Sequence, residues 1–315
     1  MSKAREYPEL RQIFALAAVG RERSFSRAAE SLGYTQSAVS QQINRLERQL
    51  GHTLVERPGG PRPVSLTPAG RMLLRHADAI VARLDSARAD LRALAEGESG
   101  VLRIGCYQSV GARLLPRVLR DLAAVSPGVQ VQLTEAEDDE ELLHLVESGA
   151  LDLTFVVYPM IGGPFTHIEL LGDPYVAVVH RDSELGQGDG PVRADQLAGL
   201  PIITYSRMRE VHSVEHRLGR PEIADQILLR SEDNGTLLGL AAEGVGVAVV
   251  SWLSVDPFRT DVRVIPLAEV APRVVGLAWH RDRYRIPASE EFIRVARREA
   301  ARLATESVGA HRSIT

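Results

Sequence analysis

Seven apolar residues, Leu73, Ala77, Ile80, Leu84, Ala87, Leu91 and Leu94, recur at alternating spacings of four and three. A stripe repeating every 3.5 residues or so, held over three heptads, is the pattern of a coiled coil. Thr67-Pro68 stands just ahead of it, an N-cap followed by proline at the first helical position. The spacing therefore predicts one helix over 67–95, roughly 42 Å long at 1.5 Å per residue. Arg75, Arg83, Asp85, Arg88, Asp90 and Arg92 lie off the seam. So narrow a stripe favours a dimer seam over a helix packed on its own domain. It also divides the chain into a head, 1–66, a linker helix, 67–96, and a body, 97–315.

Charge follows that division. Residues 1–96 carry 15 basic and 10 acidic side chains, whereas residues 97–315 carry 22 and 31. A basic head on an acidic body points the head toward a polyanion. Of the 37 basic residues only Lys3 is a lysine, which carries no functional reading by itself.

Within the head, Leu10, Ile13, Phe14 and Ala17 form one stripe of a helix over 8–19. Ser24 or Ser26 can cap a second helix through Ala28, Ala29 and Leu32. Gly33 suits a tight turn, Thr35 offers the next N-cap, and a third helix runs to about Leu50, where Gly51 stops it. On that third helix Val39, Ile43, Leu46 and Leu50 make one apolar face. Ser37, Gln41, Asn44, Arg45 and Arg48 point the other way, with Glu47 the only acid. Glutamine and asparagine can pair with adenine edges, and arginine with guanine or phosphate. An ordinary exposed helix would carry alternating Glu and Lys instead. Thr53–Glu56 and Pro63–Leu66 then flank Arg57-Pro-Gly-Gly-Pro-Arg62, a hairpin-like wing with arginines at both ends of its turn. Such arginines can reach phosphate or a narrow minor groove; the alternative is a plain surface loop.

The run Ser24-Phe-Ser-Arg-Ala-Ala-Glu-Ser-Leu-Gly-Tyr-Thr-Gln-Ser-Ala-Val-Ser-Gln-Gln-Ile-Asn-Arg-Leu-Glu-Arg-Gln-Leu-Gly51 resembles the winged helix-turn-helix of LysR-type transcriptional regulators. Leu66-Thr-Pro-Ala-Gly70 resembles the start of that family's linker helix. The likeness is dense over 8–95 and looser beyond. The wing departs from it, being longer than usual and rich in proline. The resemblance implies that the third helix enters the major groove. It implies Gln36, Ser37, Ser40 and Gln41 as base readers, Thr35, Arg45 and Arg57 on phosphate, and Arg62 on the wing. It further implies a dimer through the linker helix, usually built up to a tetramer. The DNA partner would carry paired half-sites about a two-fold axis, with RNA polymerase as a further partner.

The body reads as two α/β lobes. Strands are expected at 101–106, 129–133 and 151–157, with helices at 112–123 and 138–148 between them. That βαβαβ order argues a parallel, covered sheet. A second set follows: strands at 175–179, 201–204, 227–230 and 245–250, and helices at 209–218 and 233–243. A strand at 274–279 and a helix at 289–305 complete it, with a frayed tail from Glu306. The fold class is thus a multidomain α+β chain. Its first lobe covers about 100–172 and 268–305, and its second about 173–267. Glu96-Gly-Glu-Ser-Gly100 reads as a hinge.

Ligands of such sheets bind beyond the carboxyl ends of strands and between lobes. Tyr107-Gln-Ser109, Asp138-Asp139, Thr204-Tyr205-Ser206 and Asp233-Asn234 all sit at such ends. Ser109, Asp138, Asp139 and Asn234 could equally be helix caps. The family's regulatory domain is similar to periplasmic solute-binding proteins that hold a small inducer between two lobes. That resemblance implies Ser109, Asp139, Thr204, Tyr205 and Asn234 as effector residues. From this sequence itself, the run Asp138-Asp-Glu-Glu141 places carboxylates at a helix start that would otherwise welcome an anion. It suggests an effector that is neutral or cationic rather than a dicarboxylate, unless the run is only a solvated cap. Effector binding would favour one closure of the lobes and so re-angle the DNA-binding heads.

Other classes fit less well. The chain has 315 residues, 44% hydrophobic and 25% charged, which excludes disorder, a collagen-like repeat and a small stapled fold. Leu237–Leu253 is interrupted by Glu243 and three glycines, so no membrane span or membrane partner is expected. The first residues lack an apolar signal core, and a cytoplasmic protein is the simplest expectation. One cysteine, Cys106, excludes an internal disulfide and reads as a buried structural thiol or a thiol sensor. His212 and His216 stand four apart without an evident third ligand, so no metal site or cofactor is expected. No phosphate loop, Gly-x-Ser-x-Gly elbow or dinucleotide fingerprint after the first strand supports an enzyme, and Gly244-Val-Gly246 is too short and lies between a helix and a strand, the wrong order. A transport solute binder would lack the basic head.

Overall fold

The computed structural model describes residues 7–56, 64–96, 100–136, 138–188, 190–206, 209–283 and 285–312. The chain divides into two compact units: Met1–Ala89 with Ser148–Ala150, and Asp90–Glu147 with Leu151–Thr315.

The first unit is a winged three-helix head. Helices α1 (Leu10–Glu22), α2 (Phe25–Leu32) and α3 (Gln36–Leu50) pack around Leu16, Ile43 and Leu46, all fully buried. Ser24 caps α2 through the Arg27 N–H, and Thr35 caps α3 through the Ala38 N–H at 3.2 Å. Gly33 and Gly51 end these helices at φ values of 68° and 70°, where a Cβ would be strained. Strands β1 (Val55–Glu56) and β2 (Ser65–Leu66) pair antiparallel, the base of the expected wing. Helix α4 (Pro68–Glu96) follows, its Gly70 N–H donating to the Thr67 hydroxyl at 3.0 Å. Along its seam Ala77 is buried and Leu73 and Leu84 are half-buried, whereas Ile80, Ala87 and Leu91 are exposed. The side chain of Leu94 lies outside the described set.

The second unit holds two sheets. Strands β3 (Val101–Cys106), β4 (Gln130–Glu135), β5 (Leu153–Val157) and β6 (Phe165–Asp173) belong to the first. Strands β7 (Tyr175–His180), β8 (Val192–Arg193), β9 (Ile202–Tyr205), β10 (Ile227–Ser231), β11 (Val247–Ser251) and β12 (Val262–Ala268) form the second. The chain then returns to the first sheet in β13 (Arg273–His280). The orders are β4-β3-β5-β13-β6 and β10-β9-β11-β7-β12-β8. Helices α5 (Gln108–Arg113), α6 (Leu115–Val125), α7 (Asp139–Ser148) and α10 (Pro287–Arg312) belong to the first lobe, with Phe155 edge-on to Phe292 in its core. Helices α8 (Val214–Arg217) and α9 (Asn234–Ala242) belong to the second, whose strands are covered by apolar side chains on both faces.

Several expectations are corrected. The sheets are mixed: β13 runs antiparallel to both β5 and β6, and β7 to both β11 and β12. Strands β6, β8 and β12 were not anticipated. The helix expected over 112–123 is two helices meeting at Leu114. Pro116 has no N–H to give the Ala112 carbonyl and would clash with it in a continuous helix. The helix expected over 209–218 is a 3₁₀ turn, Glu210–His212, then α8, with Ser213 capping α8 through the His216 N–H. His212 and His216 therefore do not share one helix. Helix α10 continues to Arg312 rather than fraying from Glu306. Among the described residues, no helix is long and apolar enough to cross a membrane, and no three potential ligands gather as a metal site.

Candidate functional site

Helix α3 is built from two faces that do different work. Val39, Ile43 and Leu46 are inaccessible and anchor it to the head. Thr35, Gln36, Ser37, Gln41, Asn44, Arg45 and Arg48 are exposed, and Ser40 is half-exposed. The Ser26 hydroxyl donates to Gln36 Oε1 at 2.9 Å, which orients that carboxamide and leaves its N–H groups outward. Thr35 and Ser37 hydroxyls lie 3.0 Å apart. Glu47, the helix's single acid, turns away from this face. Its Oε1 accepts the N–H groups of Leu54 and Val55 at 2.7 and 3.1 Å, tying α3 to the root of β1. The outer face is thus a row of neutral hydrogen-bonding groups with two arginines and no free acid. Arg57 and Arg62 lie outside the described residues.

In the second unit, the ends of β3, β9 and β10 meet the start of β13 around a cavity of about 40 Å³. Tyr107, Gln108, Ser109, Tyr205, Glu232, Asn234 and Arg273 line it. That is room for water alone, whereas small-molecule pockets run to several hundred Å³. Gln108 holds the lobes together at this point. Its Nε2 donates to Asp233 Oδ2 at 2.9 Å, and its Oε1 accepts the Asn234 N–H at 2.8 Å.

Three of the five expected effector residues line the cavity. The Ser109 hydroxyl accepts from Arg273 at 2.7 Å. The Tyr205 hydroxyl sits 2.5 Å from that of Ser254 and accepts the Ser251 N–H at 3.1 Å. Asn234 opens α9. The other two do not line it. Thr204 is fully buried, and its hydroxyl donates to the Val249 carbonyl at 2.9 Å. Asp139 is buried beneath Tyr107, whose hydroxyl donates to it, and lies 3.2 Å from His212 Nε2 and 3.9 Å from Arg209. Capping accounts for other positions. Asp138 accepts the Glu140 N–H at 2.9 Å, and Asp233 caps α9 through the Thr236 N–H at 2.6 Å.

Arg273 and Glu232 were missed. Arg273 stands one residue before the expected strand, and its partner is 100 residues away. The Arg273 guanidinium meets the Asp173 carboxylate at 2.8 Å, both buried, while Asp173 also accepts the Leu253 N–H at 3.0 Å. Burial works against the charge on Arg273. The Asp173 carboxylate outweighs it and holds the guanidinium protonated, above its ordinary value. Burial, with Asp139 adjacent, pushes the Tyr107 phenol well up. Cys106, at the end of β3, is fully buried, and burial pushes its thiol up to about 12.

Residues 10–71 match the family described as bacterial regulatory helix-turn-helix protein, lysR family. Residues 95–301 match the LysR substrate binding domain. The HTH-type transcriptional regulator IlvR of Caulobacter vibrioides is 29% identical, over 87% of this chain and 93% of its own length. A probable hydrogen peroxide-inducible genes activator of Mycobacterium avium is 31% identical, over 86% and 88%. Among solved structures, full-length CbnR complexed with target DNA superimposes with a TM-score of 0.69 at 22% identity, covering 92% of this chain and 99% of that one.

Proposed function

Because the chain belongs to the LysR family of DNA-binding transcriptional regulators, we propose that α3 reads operator DNA and that the cavity at Gln108 is the closed form of its effector site. Gln36, Ser37, Ser40 and Gln41 address base edges in the major groove. Thr35 and Arg45 contact phosphate, with Arg57 and Arg62 doing so from the wing. The observation that carries this reading is the outer face of α3, where the only acid is withdrawn to Leu54 and Val55. A face meant only for water has no need to hide its carboxylate, whereas one facing phosphate does.

Dimerisation runs through α4. Ile80 and Leu91 sit on the heptad seam yet are 40% and 68% exposed in a single chain, which a partner helix would cover. Two heads on a two-fold axis then read paired half-sites, and further contacts build a tetramer that meets RNA polymerase. The protein works in the cytoplasm without a cofactor.

The effector is neutral or cationic. In the cavity itself Arg273 is already answered by Asp173, and Glu232 adds a carboxylate to the lining. Ser109, Tyr205 and Asn234 contact the effector, while Asp139 and Thr204 support the wall. Binding displaces the Gln108 bridge and shifts the population of lobe closures, and with it the DNA-binding state. Two experiments test the reading. Selection of genomic fragments at about 0.15 M salt, where non-specific phosphate binding is weak, should enrich a few dyad-symmetric sites. No enrichment, with or without metabolite extract, would sink it. In calorimetry, a dicarboxylate binding at micromolar strength at the Gln108 cavity would overturn the charge assignment.

A further inference from the structure

On the far side of the Gln108 bridge lies a second and larger space. It is a groove of about 540 Å³ between the start of α6, the start of α9 and the loop after β11. That volume falls within the range of small-molecule sites. Its floor is apolar, with Pro116, Leu238 and Val255 in the lining, and Phe258 stands over it with 87% of its surface exposed.

Three arginines face this groove, and their situations differ. Arg117 is held by Glu306 through two hydrogen bonds of 2.5 and 2.9 Å. Arg259 is held likewise by Asp261, at 2.9 and 2.5 Å. Arg113 pairs with no carboxylate among the described residues. It donates to the Val255 carbonyl at 2.5 Å and lies 4.2 Å from the centre of the Trp252 ring. Asp256, the groove's own carboxylate, is folded back on the Phe258 N–H at 2.9 Å. Burial and the neighbouring Arg117 push the Arg113 guanidinium below its ordinary value. Asp173, Glu306 and Asp256 act the other way without reversing that shift, so this half-buried cation still gains from an anion brought to it. A carboxylate suits a guanidinium by geometry as well as charge, since both are planar and can form paired hydrogen bonds.

We propose that this groove is a second ligand site, distinct from the Gln108 cavity, that takes a small monocarboxylate with an apolar body. The carboxylate lies on Arg113, and the body lies between Leu238 and Phe258. The two spaces share Gln108 and Asn234 as a common wall, so their charge preferences are opposed across one hydrogen-bonded partition.

The test is titration of full-length protein with phenylacetate, and in parallel with phenylacetamide, its neutral counterpart. Phenylacetate should saturate at millimolar concentration or below. Loss of the charge-assisted pair should weaken the amide by about tenfold. Phe258→Ala should weaken phenylacetate by at least about threefold through lost apolar contact, and Ser109→Ala in the other cavity should leave it unchanged. Arg113→Gln should abolish the preference for acid over amide. Since Arg113 also holds Val255, Phe258→Ala keeps the test decisive if that variant fails to fold. Absence of saturable binding overturns the proposal, as does equal affinity for acid and amide. So does a response to Ser109→Ala but not Phe258→Ala, which would place the ligand in the Gln108 cavity. A change in sedimentation of the ligand-free protein on Phe258→Ala would show a second copy covering the groove, and would overturn it too.

Discussion

Glu47 illustrates how one side chain can serve two purposes. By accepting the Leu54 and Val55 N–H groups it satisfies two donors at the root of β1, and it clears negative charge from the outer face of α3. Hydrogen bonds to a charged acceptor contribute about 1.5–3 kcal/mol each. Glu47→Ala is therefore expected to lower head stability by about 3–6 kcal/mol in urea unfolding, with Glu47→Gln losing less because its amide oxygen still accepts. Cys106 makes a second prediction at this scale. With its thiol pushed up to about 12 by burial, it remains protonated at pH 8 and should resist iodoacetamide until the protein unfolds. The sign of its linkage follows from that direction. Above the ordinary value of 9.0 the unfolded thiol loses its proton while the folded one keeps it, so stability falls as pH rises from there toward 12. Rapid alkylation of the native protein at pH 8 would contradict the burial and favour the thiol-sensor alternative. The sequence showed Glu47 as an odd acid on a basic face but not its partners, which lie beyond the turn at Gly51.

At the scale of elements, local signals located most boundaries. The caps Ser24, Thr35 and Thr67, the glycines at positions 33 and 51, and Pro68 all act within one turn of the residue that carries them. Pro116 was equally local, and its effect on a continuous helix could have been read from the sequence. Strands β6 and β12 were less legible. In β6, Phe165–Asp173, exposed Thr166, His167 and Glu169 interrupt the apolar alternation, and only the hydrogen bonds to β13 make it a strand. Close packing between elements is another property the sequence hides. A Cβ added at Gly70 would stand 2.0 Å from the Leu54 carbonyl oxygen, so the start of α4 approaches β1 as only glycine permits. Gly70→Ala is expected to cost about 1–3 kcal/mol through overpacking. Thermal unfolding of the head should show it, and a Tm equal to that of the unaltered protein would mean the contact is looser than the geometry indicates.

For the whole molecule, the second unit depends on pairings that span long stretches of chain. Asp173 ends β6, Arg273 begins β13, and Leu253 follows β11, yet the three meet at one buried carboxylate. Ser109 joins them through Arg273. Removing one partner of a buried pair leaves the other charge uncompensated, typically at a cost of about 3–5 kcal/mol. Asp173→Asn should therefore destabilise the second unit by that order in chemical denaturation and disturb the Gln108 cavity along with it. A loss below about 1 kcal/mol would mean that water replaces the carboxylate.

The sequence by itself determined the head, the linker helix, the alternation of strands and helices in the body, and the family. All of these are written in contacts within a few turns of chain, through caps, turn glycines and hydrophobic period. Tertiary structure alone decided which polar residues face a ligand. Ser109, Tyr205 and Asn234 line the cavity while Thr204 and Asp139, equally polar and equally placed at strand ends, are turned inward to Val249 and Tyr107. Whether a polar side chain is free or satisfied depends on partners brought in by the sheet order, and neighbours along the chain carry no record of that order.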